Sequence, residues 1–406
     1  MTLVYILSGI LLLGALSYVG IRREKNERLR FEREELARLE EANGADDPAP
    51  AVGDPEPLSV WDPSPVSAGT SVYLGSNGTD PLLWQPLSLP NPHLLIVGGS
   101  GSGKSQTLKA IAHELREACA VVILDLHGDL DLEGAATHEL HFRSRYGINP
   151  LVLSLDQKGG GPNAQREIVR TRLHRTFAPM GSLQLGLLDR LLRQCYEVRG
   201  IRHEDPTSWY REPPSFADLE ALFQREIAAA KRPEKLEALR TKISPVFDCQ
   251  IFSRPALPIR EKGITRIDMS RLSSEVQFLA GDILLRHLFR EAMLAGEAPP
   301  GKLRTLLVID EAKFLALRGK GDPLGILNRL ATEARKYGLG LLLASQDLEH
   351  FTRDILTNVA AKLVLMHAET AIRTTAGRLL LEKEQLQALR EPFVGLVKLG
   401  GGRGCG

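Results

Sequence analysis

The chain has 406 residues, room for one large or two modest domains, and its 43% hydrophobic and 25% charged content is ordinary for a globular protein. A formal net charge of +1 excludes a general attraction to nucleic acid, so any such role needs a local basic patch. The four cysteines, at positions 119, 195, 249 and 405, lack C-x-x-C spacing. They indicate neither a disulfide framework nor a zinc site, and they fit a reducing compartment.

The chain begins with an apolar stretch, residues 1–21, that carries no charged side chain. As a helix it would span about 30 Å, the thickness of one hydrocarbon core. Positive charges follow this run instead of preceding it, unlike the pattern of a cleaved signal peptide. The positive-inside rule therefore predicts a single-pass anchor in the inner (cytoplasmic) membrane, with the N-terminus outside. A buried soluble helix is the alternative.

Composition divides the rest of the chain. The segments are a charged helical stalk (22–42), a linker rich in Gly, Ala, Asp and Pro (43–58), the first part of an α/β core (59–156), a helical insertion (157–250), the second part of the core (251–398) and a Gly-rich tail (399–406). Residues 72–75 and 83–84 predict a short hairpin ahead of the core. The alternation of strands and helices predicts an α/β fold with a mostly parallel sheet.

A glycine-rich turn follows the apolar strand His93–Val97. It matches G-x-x-x-x-G-K-[ST], whose backbone N–H groups cradle phosphates. Lys104 would reach the β and γ phosphates of ATP, and the Ser105 hydroxyl would bind Mg²⁺. A flexible Gly/Ser loop is the alternative. The predicted nucleotide-binding residues are Gly98, Gly99, Ser100, Gly101, Ser102, Gly103, Lys104, Ser105 and Gln106.

Further apolar strands end in polar residues. The strand Ala120–Leu124 is followed by Asp125 to Asp129. Asp129 is equally well explained as a ligand-binding residue and as a turn cap. The other predicted elements are the strands 264–267, 306–309 and 339–344, the helices 104–117, 270–294 and 323–337, and a last helix–strand unit, 350–366. The carboxyl ends of parallel strands share one rim, where ligands bind.

Two acidic residues follow the strand 306–309. Asp310 would hold Mg²⁺ and Glu311 would orient the attacking water, the pairing that hydrolysis requires. Acids capping a helix are the alternative. Gln346 ends the next strand, so it is predicted to lie on the same rim and to sense the γ-phosphate.

Arg335 and Lys336 precede the strand that Gln346 ends, so they lie at the opposite end of the sheet. This placement suggests that Arg335 acts on a neighbouring subunit's nucleotide, which implies a ring; a surface basic pair is the alternative. Residues 157–203 hold nine Lys/Arg against three acids, so this basic insertion and Gly159–Gly161 are candidate DNA contacts. A solvated face competes with that reading.

The combined motifs resemble the FtsK–HerA superfamily of P-loop ATPases over about residues 70–400. The matching segments are Pro92–Val97 with the phosphate loop, Leu124–Asp129, Ile148–Leu151, Ile267–Ser270 with Glu275 and Gln277, Val308–Ala312, Glu333–Gly338 and Ser345–Gln346. Their order resembles HerA-type DNA translocases and the ATPases of conjugative (type IV) secretion.

The resemblance implies a RecA-like P-loop fold that assembles into a homo-hexameric ring. Such a ring would bind ATP and Mg²⁺ and move DNA within a secretion or DNA-processing complex. The predicted anchor and insertion make the chain most similar to a conjugative coupling protein, although coupling proteins usually have two membrane spans and this chain has one. Two alternatives keep the nucleotide site: a type IV secretion ATPase that moves protein, and a nucleotide-gated membrane scaffold with little turnover.

Overall fold

The computed structural model describes residues 71–76, 80–177, 179–318 and 325–399, all within the compact unit Val60–Gly406. The predicted membrane helix 1–21, stalk 22–42 and linker 43–58 lie outside these ranges, as does the tail beyond residue 399. Within the described ranges, no helix combines the length and apolar character needed to cross a membrane.

An eight-stranded sheet forms the centre of the described part of the chain. Its strand order is β10-β9-β3-β8-β7-β4-β6-β5, and every pairing is parallel except that of β10 with β9. The strands are β3 His93–Val97, β4 Ala120–Asp125, β5 Ala136–Glu139, β6 Gly263–Asp268, β7 Thr305–Ile309, β8 Leu339–Ser345, β9 Ala361–Leu365 and β10 Gly395–Leu399. The predicted mostly parallel α/β fold is confirmed.

The central strands β3, β7 and β8 are buried along their whole length and consist mainly of apolar residues, because the sheet is covered on both faces. Alternate residues of β3 belong to different cores: Leu95 and Val97 face the larger core, whereas Leu94 and Ile96 face the smaller one. The helix α1, Lys104–Leu115, covers the smaller core through Leu108 and Ile111.

The predicted hairpin is present as β1, Val72–Ser76, and β2, Pro81–Trp84, which pair antiparallel in a sheet of their own. The side chain of Trp84 is fully buried in the smaller core. The hairpin therefore covers the same face of the large sheet as α1.

The chain leaves the sheet after β5 and returns at β6, and the segment between them is mainly helical. Its helices are α2 Gly161–Thr176, α3 Ser182–Val198, α4 Phe216–Ala229, α5 Glu234–Lys242 and α6 Ser244–Asp248. Tyr196, Phe216 and Phe223 bury their rings in the larger core, which is continuous with the sheet. A buried pair, Arg172 Nη1 to Asp282 Oδ1 at 3.6 Å, ties α2 to the core helix α7, Ser274–Leu294.

The glycines predicted as a DNA-contacting loop serve packing instead. Gly160 and Gly161 are buried, and Gly161 has φ of +83°. A Cβ on Gly161 would lie 2.5 Å from the ring of Trp209, so a glycine is needed there. Only Gly159 of this triplet is exposed, so Gly160 and Gly161 are not accessible as the predicted DNA contacts.

The remaining helices differ from the predictions at their ends. Helix α7 begins at Ser274, and not near 270, because the Ser273 hydroxyl caps it by accepting from Val276 N. The helix predicted for 323–337 is α9, Ile326–Glu333, followed by a 3₁₀ turn, Ala334–Tyr337. The other helices are α8 Lys313–Arg318, α10 Arg353–Asn358, α11 Glu369–Leu379 and α12 Lys383–Gln387. The helices α11 and α12 and the strand β10 were not predicted, and they follow the helix–strand unit 350–366 that was expected to end the core.

Candidate nucleotide site

The phosphate loop, residues 98–105, joins β3 to α1 at the carboxyl edge of the sheet. Gly98 N donates to Ser345 O at the end of β8, and Gly99 N donates to Met366 O just after β9. Gly101 and Gly103 adopt φ of +74° and +102°, the left-handed region that glycine tolerates. The loop is thus held on both sides by the neighbouring strands.

Lys104 is turned inward over this loop. Its Nζ donates to the carbonyl oxygens of Gly98 and Gly99, at 2.9 Å in each case. Burial lowers the pKa of Lys104, while the nearby carboxylates of Glu311 and Asp310 act in the opposite direction. In contrast, the predicted loop residues Ser100, Gly101 and Gln106 are exposed.

Three oxygen-bearing side chains from three segments meet beside Lys104. Ser105 Oγ lies 3.4 Å from Oδ2 of Asp129 and 3.4 Å from Oδ2 of Asp310. Burial raises the pKa of Asp310, and the charges of Asp129 and Glu311 raise it further. The structure brings Asp129 to the site, which the sequence alone left as a possible turn cap.

A buried ion pair fixes the loop that carries Asp129. The Asp125 carboxylate accepts from the backbone N–H groups of His127, Gly128 and Leu130 at 2.7 to 3.2 Å. Arg266 Nη2, from β6, lies 2.7 Å from Asp125 Oδ2, and both side chains are buried. Sequence reasoning missed Arg266, although a charged residue within an apolar strand is a signal for such a pair.

Glu311 is also close to Lys104 and is hydrogen-bonded to Gln346. Gln346 Nε2 donates to Glu311 Oε1 at 2.7 Å, and Lys313 Nζ lies 3.5 Å from Glu311 Oε2. The Glu311 backbone has φ of +51°, a conformation that costs about 1–3 kcal/mol for residues other than glycine.

Arg335 lies away from these residues. It is exposed on the 3₁₀ turn that precedes β8, whereas Gln346 follows the end of that strand. Seven residues of strand separate the two ends by about 20 Å. Arg335 is near His93, whose pKa burial lowers to about 4 with a smaller contribution from the Arg335 charge. The structure does not bring Arg335 to its own phosphate loop.

Most cations of the basic insertion are already paired with carboxylates. Arg166 and Arg193 lie within 2.9 and 3.9 Å of Asp189, and Arg190 pairs with Glu226 at 2.9 Å. Further pairs join Arg170 to Glu167, Arg199 to Asp218 and Arg172 to Asp282. Three of these carboxylates lie outside the window 157–203, so counting charge along the sequence overstated the free positive charge.

The oxygens of Ser105, Asp129 and Asp310 suit Mg²⁺, which takes a few protein oxygens and completes its shell with water and phosphate. No group of three or more His, Cys, Asp or Glu side chains able to hold a metal occurs among the described residues. The donor set therefore fits a metal that arrives with a nucleotide better than a metal held by protein alone.

Comparison with known proteins gives the family context of this site. The family model "Helicase HerA, central domain" matches residues 86–154, which include the phosphate loop and Asp129. The chain is 24% identical over 290 residues to the DNA double-strand break repair helicase HerA of Sulfurisphaera tokodaii. That match covers 68% of this chain and 55% of the relative.

The chain resembles the FtsK–HerA P-loop ATPases. Its fold is similar to VirB4 of Thermoanaerobacter pseudethanolicus, with a TM-score of 0.67 and 18% identity, covering 83% of this chain and 95% of that one. It is also similar to the plasmid coupling protein TrwB in complex with ADP and Mg²⁺, with a TM-score of 0.54 and 16% identity, covering 84% and 93% of the two chains. This chain spans about half the length of the curated HerA relative.

Proposed function

We propose that this chain hydrolyses ATP·Mg²⁺ and uses the energy to move DNA. The observation that carries the proposal is that Lys104 lies near both Asp310, which contacts Ser105, and Glu311, which is hydrogen-bonded to Gln346. A phosphate loop alone supports nucleotide binding. Hydrolysis also needs a residue that orients the attacking water, and Glu311, held by the Gln346 amide near Lys104, is the candidate for this role.

Each residue has a role in this proposal. Lys104 leaves the carbonyls of Gly98 and Gly99 to bind the β and γ phosphates. Ser105, Asp310 and Asp129 hold Mg²⁺, which neutralises charge on the phosphates when bound. Glu311 accepts a proton from, and orients, the attacking water. Gln346 fixes Glu311 through its 2.7 Å hydrogen bond and relays the state of the site to β8.

DNA as the cargo is supported by the HerA relative, which is described as a DNA double-strand break repair helicase. A second candidate, an ATPase that moves protein, is favoured by the pairing of the basic insertion, since paired arginines offer less charge to a phosphate backbone. The two candidates share every catalytic assignment and differ only in cargo.

ATP turnover of the purified protein, measured with and without duplex and single-stranded DNA, separates the two candidates. A DNA motor should be stimulated several-fold, and the stimulation should fall as salt rises because phosphate contacts are screened. Turnover that DNA does not change, together with no DNA binding at low salt, would leave the protein-moving candidate.

A ring with shared sites is part of the proposal and has its own test. Arg335 is exposed and distant from its own phosphate loop, so it would complete the site of a neighbour. Lys104→Ala and Arg335→Ala should each be inactive alone. Mixed rings should regain part of the activity, because some interfaces would join an intact Lys104 to an intact Arg335. No recovery on mixing, with subunit exchange verified, would contradict a shared site.

Residues 1–21 are proposed to anchor the protein in the inner membrane, with the ATPase unit on the cytoplasmic side. This rests on the uncharged apolar run and the positive residues after it. Protease protection in oriented membrane vesicles tests the anchor and its orientation. Full-length protein that stays in the soluble fraction would refute it.

A further inference from the structure

An exposed aromatic ring lies directly on the phosphate loop. Phe393 is 67% exposed. Its backbone N–H donates to Ser102 O at 3.1 Å, and a Cβ built on Gly103 would lie 2.7 Å from ring atoms of Phe393. The ring therefore contacts the loop at the residue before Lys104 while leaving much of its surface open.

The backbone holds this ring in place against its own preference. Phe393 has φ of +64° and Gly103 has φ of +102°, both in the left-handed region. Bulky side chains rarely adopt that region, and such residues concentrate at functional sites. A ring needed only to cover apolar surface would not be left two-thirds exposed, so burial does not explain the strain.

The strand order tells which part of a nucleotide this ring faces. Glu311 and Gln346 follow β7 and β8, on one side of β3, whereas Phe393 immediately precedes β10, on the other side. A nucleotide whose terminal phosphate faces Glu311 directs its other end towards the β9–β10 side. That end carries the ribose and the base.

We infer that the Phe393 ring stacks on the base of the nucleotide bound at the phosphate loop. The inference rests on the proposed function and adds a base-binding residue to that site. A planar apolar ring has no side-chain donor or acceptor with which to read the edge of a base, so it favours stacking without selecting adenine over guanine. Stacking on an aromatic side chain improves binding of a base by about tenfold.

Binding of three ligands in the presence of Mg²⁺ tests the inference: ATP, GTP and inorganic tripolyphosphate, which has phosphates but no base. Phe393→Ala should weaken ATP and GTP binding by about tenfold each and change tripolyphosphate binding by less than about twofold. Phe393→Leu keeps an apolar contact with Gly103 but loses the aromatic face, so it should behave like the alanine variant.

Two further variants complete the experiment. Tyr210→Ala removes an equally exposed ring, 73% accessible, from the 3₁₀ turn Pro206–Tyr210 of the insertion and should change none of the three affinities. Phe393→Trp should retain ATP affinity, and its added fluorescence over the wild type should be quenched by ATP and not by tripolyphosphate.

The outcomes are separable. Equal weakening of all three ligands by Phe393→Ala and Phe393→Leu would mean that the ring only supports the loop, and would overturn the inference. Unchanged ATP affinity in Phe393→Ala would overturn it as well. Wild-type protein that binds neither ATP nor tripolyphosphate would overturn the proposed function, and the inference with it.

Discussion

The rim of the sheet and the helical insertion use charge in opposite ways. In the insertion, arginines lie against carboxylates, as in the pairs Arg166–Asp189 and Arg190–Glu226, so charge is neutralised locally. At the rim, Asp310 and Glu311 are buried and lie near the carboxylate of Asp129 and two lysines, Lys104 and Lys313. Like charges are collected there instead of dispersed.

The difference shows why the density of charge along a sequence is a poor guide to function. The insertion has the higher local count of cations. Carboxylates of other helices pair with many of these arginines, so little positive charge is left unpaired. The acidic residues of the rim are far apart in the sequence, since Asp129 follows β4 whereas Asp310 and Glu311 follow β7. The parallel strands bring them together. Gathering like charges costs stability and is typical of a site that binds a counter-charge.

The largest expected effect tests the rim itself. Glu311→Gln keeps the size of the side chain and removes the base, so turnover should fall by about 10³-fold while nucleotide affinity stays within about threefold. Phosphate release and equilibrium nucleotide binding measure the two quantities. Glu349→Gln, an exposed residue of the loop after β8, is the matched control and should change neither.

If Glu311→Gln leaves turnover unchanged, the rim is not a hydrolytic site. The nucleotide-gated scaffold would then be the better account of this chain.

A somewhat smaller effect is expected where the rim depends on a buried pair. Arg266→Met leaves the Asp125 carboxylate buried without its cation, which should lower the free energy of unfolding by about 3 kcal/mol. Chemical denaturation measures this loss. Because Asp125 also holds the loop of Asp129, the folded variant should need more Mg²⁺ for activity.

Asp125→Asn combined with Arg266→Met should be less destabilised than the sum of the two single variants, since the pair is removed together. Strict additivity would mean that the two residues do not act as a pair.

Asp310→Asn should raise stability and abolish Mg²⁺-dependent turnover. Burial and the neighbouring carboxylates raise the pKa of Asp310, so the folded state disfavours its charged form. Protonated Asp310 is tolerated in the folded state, so the wild type has its full stability below the pKa that Asp310 has in the unfolded chain. That stability is lost as the pH rises through the higher pKa of Asp310 in the folded state. The variant should therefore exceed the wild type by about 1 kcal/mol at neutral pH. Unfolding curves at several pH values should show the gap closing as the pH falls.

The smallest effect is expected in the insertion. Arg190→Ala breaks a partly exposed pair with Glu226 and should cost about 0.5 kcal/mol or less in unfolding free energy. DNA affinity should change by less than about twofold, because the arginine is already engaged. A loss of tenfold or more in DNA affinity would restore the insertion as a DNA contact and break the contrast with the rim.

The central strands were predictable because they are buried on both faces and consist mainly of apolar residues, as in β7 and β8. The strand β5, Ala136–Glu139, was missed because it is a half-exposed edge strand with mixed polarity, and β10 was missed because its antiparallel pairing with β9 depends on two intervening helices.

In the candidate site, too, only the residues that belong to local sequence motifs were predictable. Lys104, Ser105, Asp310 and Glu311 follow from local motifs, and the structure places them together. Phe393 carries no local signal, because its importance comes from contact with Gly103 on a distant part of the chain. The pairing of Arg190 with Glu226 was equally invisible to a count of charges within one window.

The position of β3 within the sheet also sets when the molecule is able to fold. Both partners of β3, the strands β8 and β9, come late in the chain, and the contact between His93 and Leu341 closes a separation of 248 residues. At typical elongation rates the phosphate-loop strand waits roughly 12 to 50 s on the ribosome for its first partner. During that time a fully apolar strand has two unpaired edges, a template for wrong pairing. A nascent chain of this protein should therefore depend on chaperones until residue 345 has left the ribosome.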